Sequence, residues 1–225
     1  MTSSATQRPT LYRVVGTYVA ILMLVGGGLI AAGAYVGRLH AAGQARREAQ
    51  AMVNRIRLQL PDVTLVDQDG KPWSTERLRG QVWVACCFFT RCSTVCPALM
   101  HSLQSLAERL RQLQDVRFLT VTVDPEHDRP GVLRAYAQAV KADSSRWVFV
   151  TGKQEAVYRL VREGFRLSAA QTPLKLQRQG ADPVTHSSRL VLLDKQGRVR
   201  GYADSQDPWE LTKLQYAIEL LLAER

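Results

Sequence analysis

The sequence predicts an α/β sandwich, a central and mostly parallel sheet with an antiparallel edge hairpin, preceded by one N-terminal transmembrane helix. Three observations predict it. Apolar, β-branched runs alternate with helical patterns from Val82 to Glu163. The chain then closes with a hairpin pattern and a last helix. Near the start, Val14 to Gly37 holds no charged residue. Alternating strands and helices are the mark of parallel strands joined by crossover helices.

The 225 residues leave room for one domain with a proper core once an N-terminal segment is set aside. Hydrophobic content of 46% beside 22% charged residues is that of a globular chain. The net charge of +10 is scattered and comes with no nucleic-acid motif, which argues against nucleic acid as a partner. Anionic lipid, an acidic protein partner, or a basic solvated surface accounts for it.

Residues 1–13 are short and polar and are expected on the cytoplasmic side. Residues 14–37 would span roughly 36 Å as a helix, enough for a hydrocarbon core of about 30 Å. Ala31-Ala32-Gly33-Ala34 keeps a cleaved signal peptide as the alternative. Residues 38–60, rich in Ala, Arg and Gln and without proline before Pro61, read as a juxtamembrane helical stalk. The arginines after the apolar run outnumber those before it, so charge alone does not orient the span. The short N-terminus leaves little room for a mitochondrial transit peptide. A bacterial inner membrane, with the domain in the periplasm, is therefore expected.

The folded domain is expected over residues 61–225. Val63–Val66, Asp67-Gln68-Asp69-Gly70 and Lys71-Pro72-Trp73 read as a hairpin closed at Asp-Gly. Residues 82–89 are an unbroken apolar strand. A helix follows Pro97 to about Gln114, with Leu99, Leu103, Leu106, Leu110 and Leu113 on one face. Val116 to Val123 is a second buried strand, and Asp124 to Arg129 a polar loop at its end. Pro130 begins a helix with Val132, Leu133, Tyr136 and Val140 inward. Residues 146–150 form a strand and 153–163 a helix, and residues 164–185 are a long excursion. Arg189 to Leu193, a turn at Gly197 and Val199 to Tyr202 form the edge hairpin. Asp207-Pro208-Trp209-Glu210 starts the last helix, with Asp as N-cap and Glu three residues on. Leu211, Leu214, Ile218, Leu221 and Leu222 are its inward face. A thioredoxin-like fold matches this order, and in such sheets functional residues sit beyond the C-terminal strand ends.

The chemistry concentrates in Thr90-Arg91-Cys92-Ser93-Thr94-Val95-Cys96-Pro97, where the apolar strand turns into a helix. Pro97 suits a first helical turn. Helix-start N–H groups and the helix dipole then favour thiolate, the form that binds metal or attacks a disulfide. Three intervening residues put the two sulfurs about one turn apart. Such a pair can grip a soft metal ion, close into a disulfide, or simply be buried thiols. Cys86 and Cys87, adjacent in the strand, point to opposite faces and read as buried filler. Two soft sulfurs suit Cu(I), and an added imidazole makes Cu(II) tolerable. His40 lies in the stalk and His101 on the helix after the cysteines. The residues alone leave His127 and His186 equal as a third ligand.

Three segments together resemble the Sco/SenC family of membrane-anchored copper proteins. They are Thr90-Arg91-Cys92 to Cys96-Pro97 with Met100, then Val123-Asp124-Pro125-Glu126-His127-Asp128 with Leu133-Arg134-Ala135-Tyr136, and then His186-Ser187-Ser188 with Asp194-Lys195-Gln196-Gly197. The resemblance covers roughly residues 60–222. It implies a thioredoxin-like copper-binding domain with Cys92, Cys96 and His186 as copper ligands and Asp124 close by. It further implies copper as Cu(I) and Cu(II), and the copper-site subunit of cytochrome c oxidase as partner, with other copper carriers beside it. Ser93 stands where the family often has proline. The function expected is a metallochaperone for the dinuclear copper site of the oxidase. The alternatives are a membrane-tethered thiol–disulfide oxidoreductase using Cys92 and Cys96, or a copper or redox sensor.

Overall fold

Every residue from Val82 to Phe88 is buried, which fixes this strand in the middle of the sheet, covered on both faces. A computed structural model describes residues 8–168, 170–171, 184–185 and 188–224. In chain order the elements are α1 (Arg8–Arg55), β1 (Leu58–Gln59), β2 (Thr64–Asp67), β3 (Pro72–Ser74), β4 (Val82–Phe88), α2 (Cys96–Arg109), β5 (Val116–Thr122), α3 (Pro130–Ala139) and β6 (Trp147–Thr151). Then follow α4 (Gln154–Arg159), β7 (Ala170–Gln171), β8 (Val184–Thr185), β9 (Arg189–Leu193), β10 (Arg198–Asp204) and α5 (Pro208–Ala223).

The described chain forms two units, one reaching to residue 44 and the other running from residue 45 onward. The first is helical, long and apolar enough to cross a membrane, and its apolar stretch is not buried against protein. The second takes in residues 45–60, which the sequence assigns to a stalk. Ala45, Ala49 and Val53 recur at a four-residue step and are fully buried, so the last turns of α1 are a core helix of the domain. Their small apolar stripe is easy to miss among the arginines that surround it.

Eight strands form one sheet in the order β1-β10-β9-β4-β5-β6-β2-β3. The centre is parallel: β4 pairs with β5 from Val82 opposite Val116 to Phe88 opposite Thr122, and β5 pairs with β6. Antiparallel strands lie on both sides, β9 and β10 beyond β4, and β2 and β3 beyond β6. The expected parallel core and edge hairpin are present, and the Asp-Gly hairpin joins the same sheet. Asp67 accepts the Gly70 N–H at its carbonyl, at 3.0 Å, and Gly70 turns the chain at φ +77°. Strand β1 has only two residues, too short to show a period in the sequence.

Three helices depart from the expected pattern. Helix α2 ends at Arg109, because Arg146 reaches across and donates to the carbonyls of Leu110, Arg111 and Leu113. These bonds hold the chain in turns where the leucine spacing predicts continued helix. In α3, Leu133 is buried but Val132 is 36% exposed, so the inward face is narrower than its apolar residues suggest. Helix α4 gives way after Arg159 to a π-helical turn, Leu160–Gly164. A Cβ on Gly164 would lie 2.9 Å from Pro61 Cδ, so glycine lets this turn close against the start of the domain. In α5 the N-cap holds: the Asp207 side chain accepts from the N–H groups of Trp209 and Glu210. Glu210 does not reach back but takes Lys213, so only half of the capping box forms.

The far edge of the sheet is tied by Arg200, a fully buried arginine on β10. Its Nε donates to the Val53 carbonyl at 2.8 Å, its Nη1 to Asp194 Oδ2 at 3.0 Å, and both Nη groups to the Glu224 carboxylate. Burial works against ionisation of Asp194, but hydrogen bonds from Arg198 and Arg200 outweigh it and leave its pKa lowered. The bond from Arg200 likewise lowers Glu224. A lowered carboxylate stabilises the fold above its unfolded value of about 4, and that stability is lost as pH falls through the lowered native value. The domain is therefore expected to lose stability steeply below about pH 4. Arg200→Met leaves Asp194 buried without this partner and should flatten that acid dependence. Denaturant melts from pH 7 to pH 2.5 check both, and an unchanged acid slope in the variant would remove Arg200 from this role.

Candidate metal centre

The cysteine loop leaves the C-terminal end of β4 and turns at once. The Cys92 N–H donates to the Phe89 carbonyl at 3.2 Å. Val95 is the N-cap of α2 and Cys96 its first residue, with Pro97 in the first turn as expected. The Cys96 N–H points at Cys92 Sγ, 3.4 Å away, so the first sulfur caps the helix that carries the second. Cys92 is 7% exposed and Cys96 1%. All four cysteines are thiols.

Helix-start placement does not leave Cys96 a ready thiolate. Burial pushes its thiol well above the usual range. A backbone hydrogen bond at Phe89 offsets this only in part, and Cys92 adds to the rise. The expected thiolate bias is thus overturned at Cys96, because losing water costs the anion more than the helix start returns. Cys86 and Cys87 are fully buried on β4. Burial pushes Cys86 up to about 12, partly offset by its contact with Thr120, and Cys87 well up. Both are inert thiols in the sheet interior, as filler would be.

A second loop, between β5 and α3, is bound to the cysteine loop. Asp128 is fully buried. Its carboxylate accepts the Thr90 N–H at 3.0 Å, the Thr90 hydroxyl, and the Thr122 hydroxyl at 2.6 Å. Asp128 and His127 in turn donate their N–H groups to the Asp124 carbonyl, which closes the loop on itself. Asp124, a candidate neighbour of the metal, is 9% exposed, and its N–H donates to Thr122 Oγ1. Its carboxylate is gripped by Arg91, whose Nη2 and Nε reach Oδ2 at 2.6 and 3.2 Å. Tyr136 of α3 packs on Phe88, ring centroids 5.1 Å apart. Burial, then Cys96, Cys86 and Cys92, push its phenol up to about 12.

The structure therefore brings together Cys92, Cys96 and the Asp124 loop. It leaves His40, His101 and His127 on the exposed surface. Among the described residues no three His, Cys, Asp or Glu side chains are grouped so as to hold a metal ion. His186 lies outside the described residues. Val184 and Thr185 before it and the chain from Ser188 to Glu224 after it are described. Strand β8 ends at Thr185, pairing with Ala170 in a short antiparallel ribbon. Beyond it, Ser188 accepts the Ser205 N–H and leads into β9. Strand β9 runs antiparallel to β4 with Leu190 opposite Cys86. Its first residues therefore lie at the sheet end from which the cysteine loop departs.

Sequence reasoning found the cysteine pair but not Asp128, Thr90, Thr122 or Arg91 as its supports. The signal was present: Asp128 closes the Val123–Asp128 segment, and a carboxylate in a buried loop demands partners.

A family model described as SCO1/SenC matches residues 58–217. The SCO1 protein homolog of Bacillus subtilis is 32% identical over 151 residues, covering 67% of this chain and 76% of its own. A protein of Stutzerimonas stutzeri with the provisional name of copper-binding protein is 30% identical, covering 72% of this chain and 76% of its own. The solved structure of BsSco superposes with a TM-score of 0.60 at 29% identity, covering 73% of this chain and 95% of its own. It is described as a Sco-family cytochrome c oxidase assembly protein with a disulfide switch.

Asp128→Ala strips three donors of their shared acceptor and is expected to destabilise the domain by about 3 kcal/mol. Asp128→Asn, which can still accept but carries no charge, should cost less. Denaturant unfolding measures both. A loss under about 1 kcal/mol for the alanine variant would show that the loops are held by something else.

Proposed function

The chain belongs to the SCO1/SenC family, and from that membership we propose that it is a membrane-anchored metallochaperone carrying copper to the dinuclear site of cytochrome c oxidase. Cys92, Cys96 and His186 are its copper ligands, with Asp124 beside them. One observation carries the reading. The antiparallel pairing of β9 with β4 brings the chain just after His186 to the sheet end that bears the cysteine loop. One residue, Ser187, separates His186 from Ser188, a reach of at most about 7 Å.

The donor chemistry fits the cargo. Thiolates select soft Cu(I), and one imidazole makes the site tolerant of Cu(II). Because the Cys96 thiol is held protonated by burial, loading releases protons, and affinity for copper rises with pH. The names of the relatives point the same way: copper binding for the Stutzerimonas protein and oxidase assembly for BsSco. Residues 14–37 anchor the chain in the inner membrane with the domain on the periplasmic side, where the target copper site lies. A C-terminal reporter that works only outside the cytoplasm should be active. Activity of a cytoplasmic reporter in its place would reverse this orientation.

A second reading is favoured by the disulfide switch described for BsSco. In it Cys92 and Cys96 are oxidised to a disulfide while a partner disulfide is reduced to two thiols, the electrons and protons passing from one pair to the other. His186 separates the two readings, since dithiol exchange does not need it.

Cys92→Ser and Cys96→Ser are expected to abolish tight Cu(I) binding, whereas Cys86→Ser and Cys87→Ser keep it. His186→Ala should lose Cu(II) more than Cu(I) and leave disulfide exchange nearly unchanged. Competition with a Cu(I) chelator, Cu(II) titration and exchange with a model disulfide, on the full chain in detergent, read these effects. Normal Cu(II) binding and normal oxidase maturation with His186→Ala would transfer the function to the dithiol.

A further inference from the structure

Arg91, the residue before Cys92, joins the two loops of the site through the carboxylate of Asp124. Its guanidinium places both contacts on one oxygen of Asp124, Oδ2. The arginine side chain is 50% exposed and the carboxylate 11%. Water screens the guanidinium in part, while the nearly buried carboxylate needs the partner that Arg91 gives it. Thr90, one residue earlier, is held separately by buried Asp128, so the loop has a second anchor. Beyond stability, the pair fixes where the carboxylate lies and offsets its charge. Asp124 follows the C-terminal end of β5, and Cys92 follows that of β4, the neighbouring strand. Arg91, next to Cys92, reaches the Asp124 carboxylate, which therefore stands beside the cysteine loop. That carboxylate is a hard oxygen donor with a negative charge, and such donors favour divalent ions over soft Cu(I). Among the described residues, Asp124 does not group with the cysteines as a metal site.

We propose that Arg91 sets the metal selectivity of the cysteine site, holding the Asp124 carboxylate off the metal and cancelling its charge so that Cu(I) is preferred to divalent ions. The proposal rests on the copper reading above. Arg91 is a positioning residue: it acts through Asp124 and touches no metal. Its planar fork matters as well as its charge, so lysine replaces it only in part.

The test uses the full chain in detergent micelles, with Cu(I) measured by chelator competition and Co(II) by its absorption spectrum. Arg91→Ala should raise Co(II) affinity relative to Cu(I) by about tenfold, the size of effect typical of groups that orient ligands. The Co(II) bands should shift as an oxygen donor joins the sulfurs. Arg91→Lys should recover part of the wild-type ratio. Adding Asp124→Asn to Arg91→Ala should return both ratio and spectrum to those of the wild type. A wild-type chain that fails to hold Cu(I) at Cys92 and Cys96 removes the copper reading and this proposal with it. A wild type that binds Cu(I), beside an Arg91→Ala variant with unchanged ratio and spectrum, overturns the proposal alone. So does a gain in Co(II) affinity that survives Asp124→Asn, or a large fall in melting temperature on Arg91→Ala.

Discussion

One buried carboxylate, that of Asp128, holds the candidate site together. It accepts from the Thr90 backbone, the Thr90 hydroxyl and the Thr122 hydroxyl, and so joins the start of the cysteine loop to the end of β5. Thr90 is two residues from Cys92, so the direction in which the loop enters α2 is fixed at Asp128. A charge removed from water is tolerated only when its lone pairs are met. These three donors meet that need, and each is held in place in return.

The sheet supplies the other half of the site. Parallel pairing of β4 and β5 sends their C-terminal ends to one side, and antiparallel pairing of β9 with β4 starts β9 there. Three chain segments distant in sequence thus meet at one end of the sheet. Burial gives the thiols their particular character. Burial at 1% exposure raises the Cys96 thiol despite its place at a helix start. In the proposed function a soft cation supplies the charge that the thiolate needs, which couples metal capture to proton release.

Much of this was legible in the sequence where a local period or a turn residue carried it. The unbroken run 82–89, the leucine spacing of α2, the Asp-Gly hairpin and the Asp207 cap each name their element from side chains alone. What escaped depends on tertiary partners. The end of α2 at Arg109 is set by Arg146, 37 residues further on in the chain. The burial of Ala45, Ala49 and Val53 reflects packing within the domain that a mixed, arginine-rich stretch does not advertise. At the site, the cysteines announced themselves by spacing. The roles of Asp128 and Arg91 exist only once β4 and β5 lie side by side, and the expected thiolate yielded to a desolvation that spacing cannot express.

The central claim is that two sulfurs and one imidazole hold a single copper ion in this loop assembly. X-ray absorption at the copper edge, on the full chain loaded with one equivalent of Cu(I), measures that coordination directly. The account predicts a shell of two sulfurs and one nitrogen, with the nitrogen lost in His186→Ala and sulfur scattering reduced in Cys96→Ser. A first shell of nitrogen and oxygen alone, or one untouched by either substitution, would contradict it.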